Sequence, residues 1–210
     1  MLVSIPMIII KASSINEAVR SCFHKLYQEK IRPFDQDLYR ESPLLLQICW
    51  QKTHVLHVSI LNNQFQFDKN YKIISDSDRT INKVISHYQT KLLDSNKLNL
   101  LIRAMKNKPS SRRLVLDIWQ NENDINSMDE VPCVIYFWFR IVSNALEMHT
   151  HMRANDGFKK FWLNLEIFSA IHDHVARTID KQVGQYLHIV DSFHFYSKNK
   201  KEIGTLIKIL

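Results

Sequence analysis

At 210 residues, 45% hydrophobic and 23% charged, the chain has the length and apolar content of one globular domain, 1–210, with a sizeable core. Three glycines are too few to spell a glycine-rich phosphate loop or a dinucleotide-binding fingerprint. A formal net charge of +7 favours an anionic partner, namely nucleic acid, a membrane surface or a phosphorylated small molecule, although a merely basic surface gives the same count.

The three cysteines, Cys22, Cys49 and Cys133, are odd in number and far apart. They form no CxxC pair, so neither a zinc ribbon nor a disulfide framework is spelled, and a reducing compartment is expected. The apolar run from Met1 to Ile10 lacks a basic flank and a small-residue cleavage site, and reads as a strand rather than a signal peptide. No apolar stretch is long enough to cross a bilayer. The expected location is the cytoplasm.

In chain order, the β-branched run Val3 to Lys11 predicts a strand. Ser13 and Ser14 open a helix, with Glu17 as capping-box partner and a stripe through Ala18, Cys22 and Leu26 that makes Cys22 a core residue. Arg32 to Pro43 reads as a loop. Leu44 to Ile60 reads as one or two strands, with Cys49 buried and inert. Asn62 to Asp78 reads as irregular. Ile81 to Tyr88 and Leu98 to Lys106 read as helices, the second stopped by Pro109.

The second half is more regular. Arg113 to Trp119 is a strand, Gln120 to Glu130 an acidic loop, and Val131 to Val142 a buried central strand. Ser143-Asn144-Ala145 turns the chain into Leu146 to Met152, which alternates cleanly. Phe161 to Ile179 has helical spacing, and Tyr186 to Tyr196 reads as a strand. The Lys198 to Lys201 run reads as solvated surface, before an apolar Ile203 to Leu210.

Among residues that could carry chemistry, His149-x-His151 and His172-x-His174 have no Cys or carboxylate at a ligand spacing, so no metal is expected. Cys133 follows Pro132 at the head of an apolar strand, where a thiol can be exposed on one side and held as thiolate by a basic chain. On those facts alone a core cysteine is the simpler reading.

Several segments change that balance. Ser111-Arg112-Arg113, Trp119 and Pro132-Cys133 resemble the SRR…W…PC order of thymidylate synthases. Tyr88 to Arg113 resembles the run that leads into SRR in that family. Met152-Arg153-Ala154-Asn155-Asp156 resembles its QRSxD segment and Phe161-Trp162-Leu163-Asn164 its PFN segment. Asp191-Ser192-Phe193-His194-Phe195-Tyr196 resembles its GDxHxY strand, with one extra residue before the histidine. The resemblance spans Tyr88 to Asn199, about half of the chain.

The resemblance implies an α+β fold: a twisted, mostly antiparallel sheet with flanking helices, whose other face packs on a second subunit. It implies a pyrimidine nucleotide C5 one-carbon transferase that uses 5,10-methylene-tetrahydrofolate. Cys133 would add to C6, with Tyr88 and Asp156 in the catalytic group and Asp156 on the folate-facing side of the base. Arg153 would favour the thiolate and bind the nucleotide phosphate. Arg112 and Arg113 would reach the partner subunit's phosphate. Asn164 would read the base at O4 and N3, and His194 and Tyr196 would bind the sugar 3′-hydroxyl.

Departures from the pattern bear on the substrate. Val134 stands where the family has histidine, Ala154 where it has serine, and Lys160 where it has glycine. In the N-terminal half the catalytic glutamate, the folate-stacking tryptophans and the glycine-rich phosphate loop are not found in their usual form; Glu41 and Trp50 are the nearest candidates by type. Asn164 tilts the reading toward uracil, so methylation of dUMP to dTMP leads. Hydroxymethylation of CMP, dCMP or UMP and a catalytically lapsed nucleotide-binding relative stay open. A nucleic-acid-binding module is a third class, disfavoured because basic and aromatic residues do not interleave in one stripe.

Overall fold

The computed structural model describes residues 7–28, 36–50, 58–59, 64–65, 96–119, 124–127 and 131–208. Its centre is a six-stranded sheet in the order β1-β2-β8-β7-β6-β5. The strands are β1 (Ile8–Ala12), β2 (Leu38–Ile48), β5 (Val115–Asp117), β6 (Val134–Val142), β7 (Ala145–Asp156) and β8 (Gln182–Tyr196). A separate pair, β3 (Val58–Ser59) and β4 (Gln64–Phe65), is antiparallel. The helices are α1 (Ile15–Gln28), α2 (Lys97–Asn107), α3 (Phe161–Thr178) and α4 (Lys200–Leu206).

The fold is α+β as expected, but the sheet is mixed rather than mostly antiparallel. β2 with β8, β6 with β7 and β5 with β6 run antiparallel. β1 with β2 and β7 with β8 run parallel. The reason lies in the connections. A parallel neighbour requires a long crossover, and α1 and α3 occupy the β1-to-β2 and β7-to-β8 connections. Ser143 and Asn144, both with positive φ (48° and 66°), make the tight turn that joins β6 to β7.

One face of the sheet is covered by α1 and α3, and the core lies between. Phe23 of α1 packs against Phe195 of β8 with ring centroids 4.6 Å apart. Phe161 and Phe168 of α3 meet Phe193 and Phe137 at 4.8 and 5.0 Å. α1 starts where expected: Glu17 N–H donates to Ser14 Oγ at 3.2 Å, and the Glu17 carboxylate accepts from Ser13 N–H at 2.8 Å. The bond from Ser13 N–H, with a second from Ser13 Oγ at 2.7 Å, holds the Glu17 carboxyl below its ordinary range.

Three local expectations change. β2 begins at Leu38, inside the predicted loop, and takes in Pro43, which has no N–H for a ladder. The strand admits it because the β2–β8 register shifts between Ser42 and Leu44, a β-bulge position. Cys49, expected to be buried, is exposed, because β2 ends at Ile48 and the chain leaves the sheet there. β6 is not buried on both faces. Val134, Phe137 and Phe139 are buried while Tyr136 and Trp138 are half-buried, because no described helix covers the second face of the sheet. The predicted helix Ile81 to Tyr88 lies outside the described residues, and Tyr88 with it.

Candidate active site

A fault line crosses the sheet and sets the geometry of the site. Val134, Met152, Val190 and Leu44 form one row across β6, β7, β8 and β2. The β2–β8 register shifts between Ser42 and Leu44, on the side of that row toward Glu41 and His194, and the β6–β7 register shifts between Val134 and Tyr136, on its other side. In β7 and β8 the buried–open alternation slips at Arg153–Ala154 and at Asp191–Ser192. Ala154 and Ser192 are themselves paired, so the two central strands slip together. Bulges re-aim side chains, and this one re-aims a whole row. Cys133, Arg153, Asp156, Ser192, His194 and Glu41 all stand at or beyond it.

Cys133 is half-buried at the head of β6 and packs against the core. Its carbonyl accepts from Arg153 N–H at 2.9 Å, and Arg153 Nε donates to the Pro132 carbonyl at 3.3 Å. The guanidinium also sits over the Trp119 ring, 5.3 Å from its centroid. A fixed cation is thereby tied to the backbone on either side of the thiol. Cys22 is fully buried, and its burial pushes that thiol up.

Asp156, His194 and Glu41 form a row farther along, paired across β7, β8 and β2. Asp156 Oδ1 accepts from the N–H groups of Phe158 and Lys159 at 2.9 and 3.0 Å, which holds the turn into α3. Gly157 N–H donates to the His194 carbonyl at 2.8 Å, closing that turn onto β8. Ser192 Oγ donates to Glu41 Oε1 at 2.5 Å and lies 3.2 Å from His194 Nδ1. His194 Nδ1 is also 3.0 Å from the Ser192 carbonyl, which can only accept, so the proton sits on Nδ1. Nε2, the acceptor, is buried with no hydrogen-bond partner among the described residues. Tyr196 meets the His194 ring edge-on at 4.9 Å, and Lys198 Nζ lies over the Tyr196 ring at 5.2 Å.

Asn164 is buried on the first turn of α3. Its Nδ2 donates to Asn155 Oδ1 at 3.0 Å. Asn155 Nδ2 is in turn 3.3 Å from His188 Nε2 and 3.4 Å from Met152 Sδ. Tyr186 Oη lies 2.7 Å from His188 Nδ1. Burial drives the His188 imidazole down to about 3, so it is neutral.

The basic segment is elsewhere. Arg112 and Arg113 are exposed and line an open pocket with Lys108, Ser110 and Ser111. Trp138 Nε1 donates to the Arg112 carbonyl at 3.1 Å, and Phe139 N–H donates to Leu114 O. They therefore sit toward the far end of β6 from Cys133, a distance of roughly 20 Å at about 3.3 Å per strand residue. Within one chain the structure does not bring these arginines to the thiol. The histidine pairs have other partners: His151 Nε2 bonds Asp191 at 3.0 Å, and His172 Nε2 bonds the Leu146 carbonyl at 2.7 Å.

Sequence reading missed the pairing of Glu41 with Ser192 and the whole chain from Asn155 to Tyr186. Glu41 was singled out only by residue type. A polar residue two positions before His194 was the available signal for Ser192, and a buried-pattern asparagine in β7 the signal for Asn155.

A family profile described as Thymidylate synthase matches residues 82–208. The thymidylate synthase of Mycoplasma mobile is 28% identical over 102 residues, 49% of this chain and 35% of that protein. That of Buchnera aphidicola is 27% identical over 107 residues, 51% and 40% of the two chains. That of Listeria monocytogenes is 28% identical over 103 residues, 49% and 32%. The matched stretch thus spans between 32% and 40% of these curated relatives. With the profile covering more than half of its residues, the chain belongs to the thymidylate synthase family.

Proposed function

We propose that the protein is a transferase that carries a one-carbon unit to C5 of a pyrimidine nucleoside monophosphate, with dUMP the leading substrate. The observation that carries this reading is the placement of Arg153 at Cys133, its N–H on the Cys133 carbonyl and its Nε on the Pro132 carbonyl, in a chain of this family. A thiolate that adds to C6 turns the ring into an enolate nucleophilic at C5. Arg153 is tied to the backbone at the strand head, beside the candidate nucleophile. His194 Nε2 accepts from a sugar hydroxyl, with Tyr196 beside it. Asn164 meets the base edge.

5,10-Methylene-tetrahydrofolate would supply the one-carbon unit and, for a methyl product, the hydride. Among the described residues, Asp156 Oδ2 makes no bond while Oδ1 holds the turn, so one carboxylate oxygen is open to that ligand. Tyr88 and the family's upstream glutamate lie outside the described residues. The second, uncovered sheet face, with Ile9 64% exposed and Val115 48% exposed, is the face we assign to a homodimer. Arg112 and Arg113 would then serve the partner's phosphate, which fits their distance from Cys133 in one chain. Among the described residues no helix is long and apolar enough to cross a membrane; we place the protein in the cytoplasm on the cysteine pattern.

The test is a product screen by mass spectrometry, with each pyrimidine nucleoside monophosphate and methylene-tetrahydrofolate. A mass gain on dUMP that vanishes in Cys133→Ser is the expected result. Exclusive turnover of a cytosine nucleotide would replace the leading substrate. No turnover, together with no release of tritium from C5, would leave only a nucleotide-binding relative.

A further inference from the structure

Behind Asn164 of α3 runs a buried polar chain through β7 and β8 that the site chemistry above does not use beyond Asn164 itself: Asn164, Asn155, His188 and Tyr186 are 4%, 1%, 0% and 0% exposed. Buried polar groups of this kind specify one arrangement when every member is satisfied. The direction of the chain is fixed by one contact. Met152 Sδ has no hydrogen to give, so the atom of Asn155 3.4 Å away must be the NH₂ group. The same NH₂ faces His188 Nε2, which therefore accepts and leaves the imidazole proton on Nδ1, toward Tyr186 Oη. Asn155 Oδ1 is then the atom turned to Asn164, and Asn164 must present Nδ2–H to it. Turning the Asn164 amide over would set two oxygens face to face in a buried site.

We propose that Asn155 is a positioning residue that locks the Asn164 amide in one orientation and thereby makes the site choose between 4-oxo and 4-amino pyrimidines. This rests on the reading that Asn164 meets the base. A 4-oxo pyrimidine offers an N3–H donor beside a C4 carbonyl acceptor; a 4-amino pyrimidine offers an N3 acceptor beside an amino donor. A freely turning amide pairs with both. A locked amide pairs with one and leaves the other with a buried donor facing a donor, a mismatch that costs a large factor in affinity or rate.

The experiment measures dUMP and dCMP binding by calorimetry, and kcat/KM where turnover is seen, for wild type, Asn155→Ala, Asn155→Asp and Asn164→Ala. The expected result is that Asn155→Ala narrows the dUMP-to-dCMP ratio by about tenfold or more. Asn155→Asp keeps the wild-type ratio, because a carboxylate oxygen still accepts from Asn164 Nδ2. A ratio unchanged in Asn155→Ala, while Asn164→Ala weakens binding, overturns this inference alone. Unchanged binding of both nucleotides in Asn164→Ala overturns the base-reading role as well. Independently of any variant's folding, the imidazole ¹⁵N shifts of wild-type His188 should report a proton on Nδ1; a proton on Nε2 would reverse the chain and overturn the proposal.

Discussion

Ser192 and Glu41, far apart in sequence, are joined by a 2.5 Å hydrogen bond across β8 and β2. A carboxylate only accepts, so it takes the single Ser192 proton and leaves the hydroxyl to accept from His194 Nδ1. The imidazole is thereby held with its acceptor, Nε2, toward the site. Glu41→Leu should weaken binding of a nucleotide with a free 3′-hydroxyl by about tenfold, in line with ~1–2 kcal/mol for one hydrogen bond lost from a buried site. Binding of the 3′-deoxy analogue should not change. Equal losses for both nucleotides in calorimetry would show that Glu41 serves only the fold.

The three thiols should separate under a maleimide reagent followed by peptide mass spectrometry. Cys22, fully buried and with its thiol pushed up by burial, stays unlabelled until the protein is unfolded. Cys49 labels as an ordinary exposed thiol. Cys133 should label faster than Cys49 despite its lower exposure, and Arg153→Gln should remove that advantage. A Cys133 slower than Cys49 in the wild type would count against an activated nucleophile.

The proposed homodimer, with Arg112 and Arg113 serving the partner's site, makes a mixing prediction. Cys133→Ser and the double variant Arg112→Ala/Arg113→Ala should each be inactive as homodimers. Mixed and reassociated at equal amounts, they should recover about a quarter of wild-type activity, because half the dimers are hybrids with one intact site of two. Mixtures as inactive as their components, with hybrids shown by mass spectrometry, would place the arginines outside the partner's site.

Stability should depend on pH through two buried histidines and the half-buried Glu166. Burial lowers His188 to about 3 and His172 to about 4, both below the ordinary 6.5. The unfolded chain therefore binds these protons first, and their contribution is complete above about pH 6.5 and lost as pH falls toward 4. Burial raises Glu166 from 4.5 to about 7, so its effect has the opposite sign: it costs stability as pH rises from about 4.5 to 7. Urea unfolding in that window should show a net fall toward acid, since two histidines oppose one carboxyl. Glu166→Gln should steepen it by up to about 1.4 kcal/mol per pH unit. A shallower slope in the variant would contradict the sign for Glu166.

Gly184 faces the strand that carries Leu146. A Cβ there would lie 2.6 Å from the Leu146 carbonyl oxygen, the same atom that accepts from His172. Backbone on one side and a buried imidazole on the other leave no room to yield. Gly184→Ala should cost about 1–3 kcal/mol in denaturant unfolding, whereas Gly204→Ala, in open space on α4, should not destabilise.

The sequence was informative where chemistry is local. The capping serines before α1, the turn at Ser143-Asn144 and the apolar periodicity of α3 each depend on neighbours within a few residues, and each element stands within a few residues of its expected bounds. The ordered residues Arg112, Arg113, Cys133, Arg153, Asn164 and His194 named the family for the same reason: spacing along a chain survives without knowing the fold. β2 was less legible, because Pro43 argues for a loop on local grounds, and only its pairing with a bulge opposite β8 makes a strand of it.

What the sequence by itself determined, then, is the set of residue types, the fold class and the family. The tertiary structure alone decided the mixed strand order, since hydrogen-bonded neighbours in a sheet are chosen by crossovers and not by adjacency in the chain. It also decided which polar residues act together. Glu41 meets Ser192 and Asn155 meets His188 only because β2 and β7 both pair with β8 in the sheet. A hydrogen bond between residues this far apart in sequence leaves no periodicity or spacing to read, because its geometry exists only once the strands have paired.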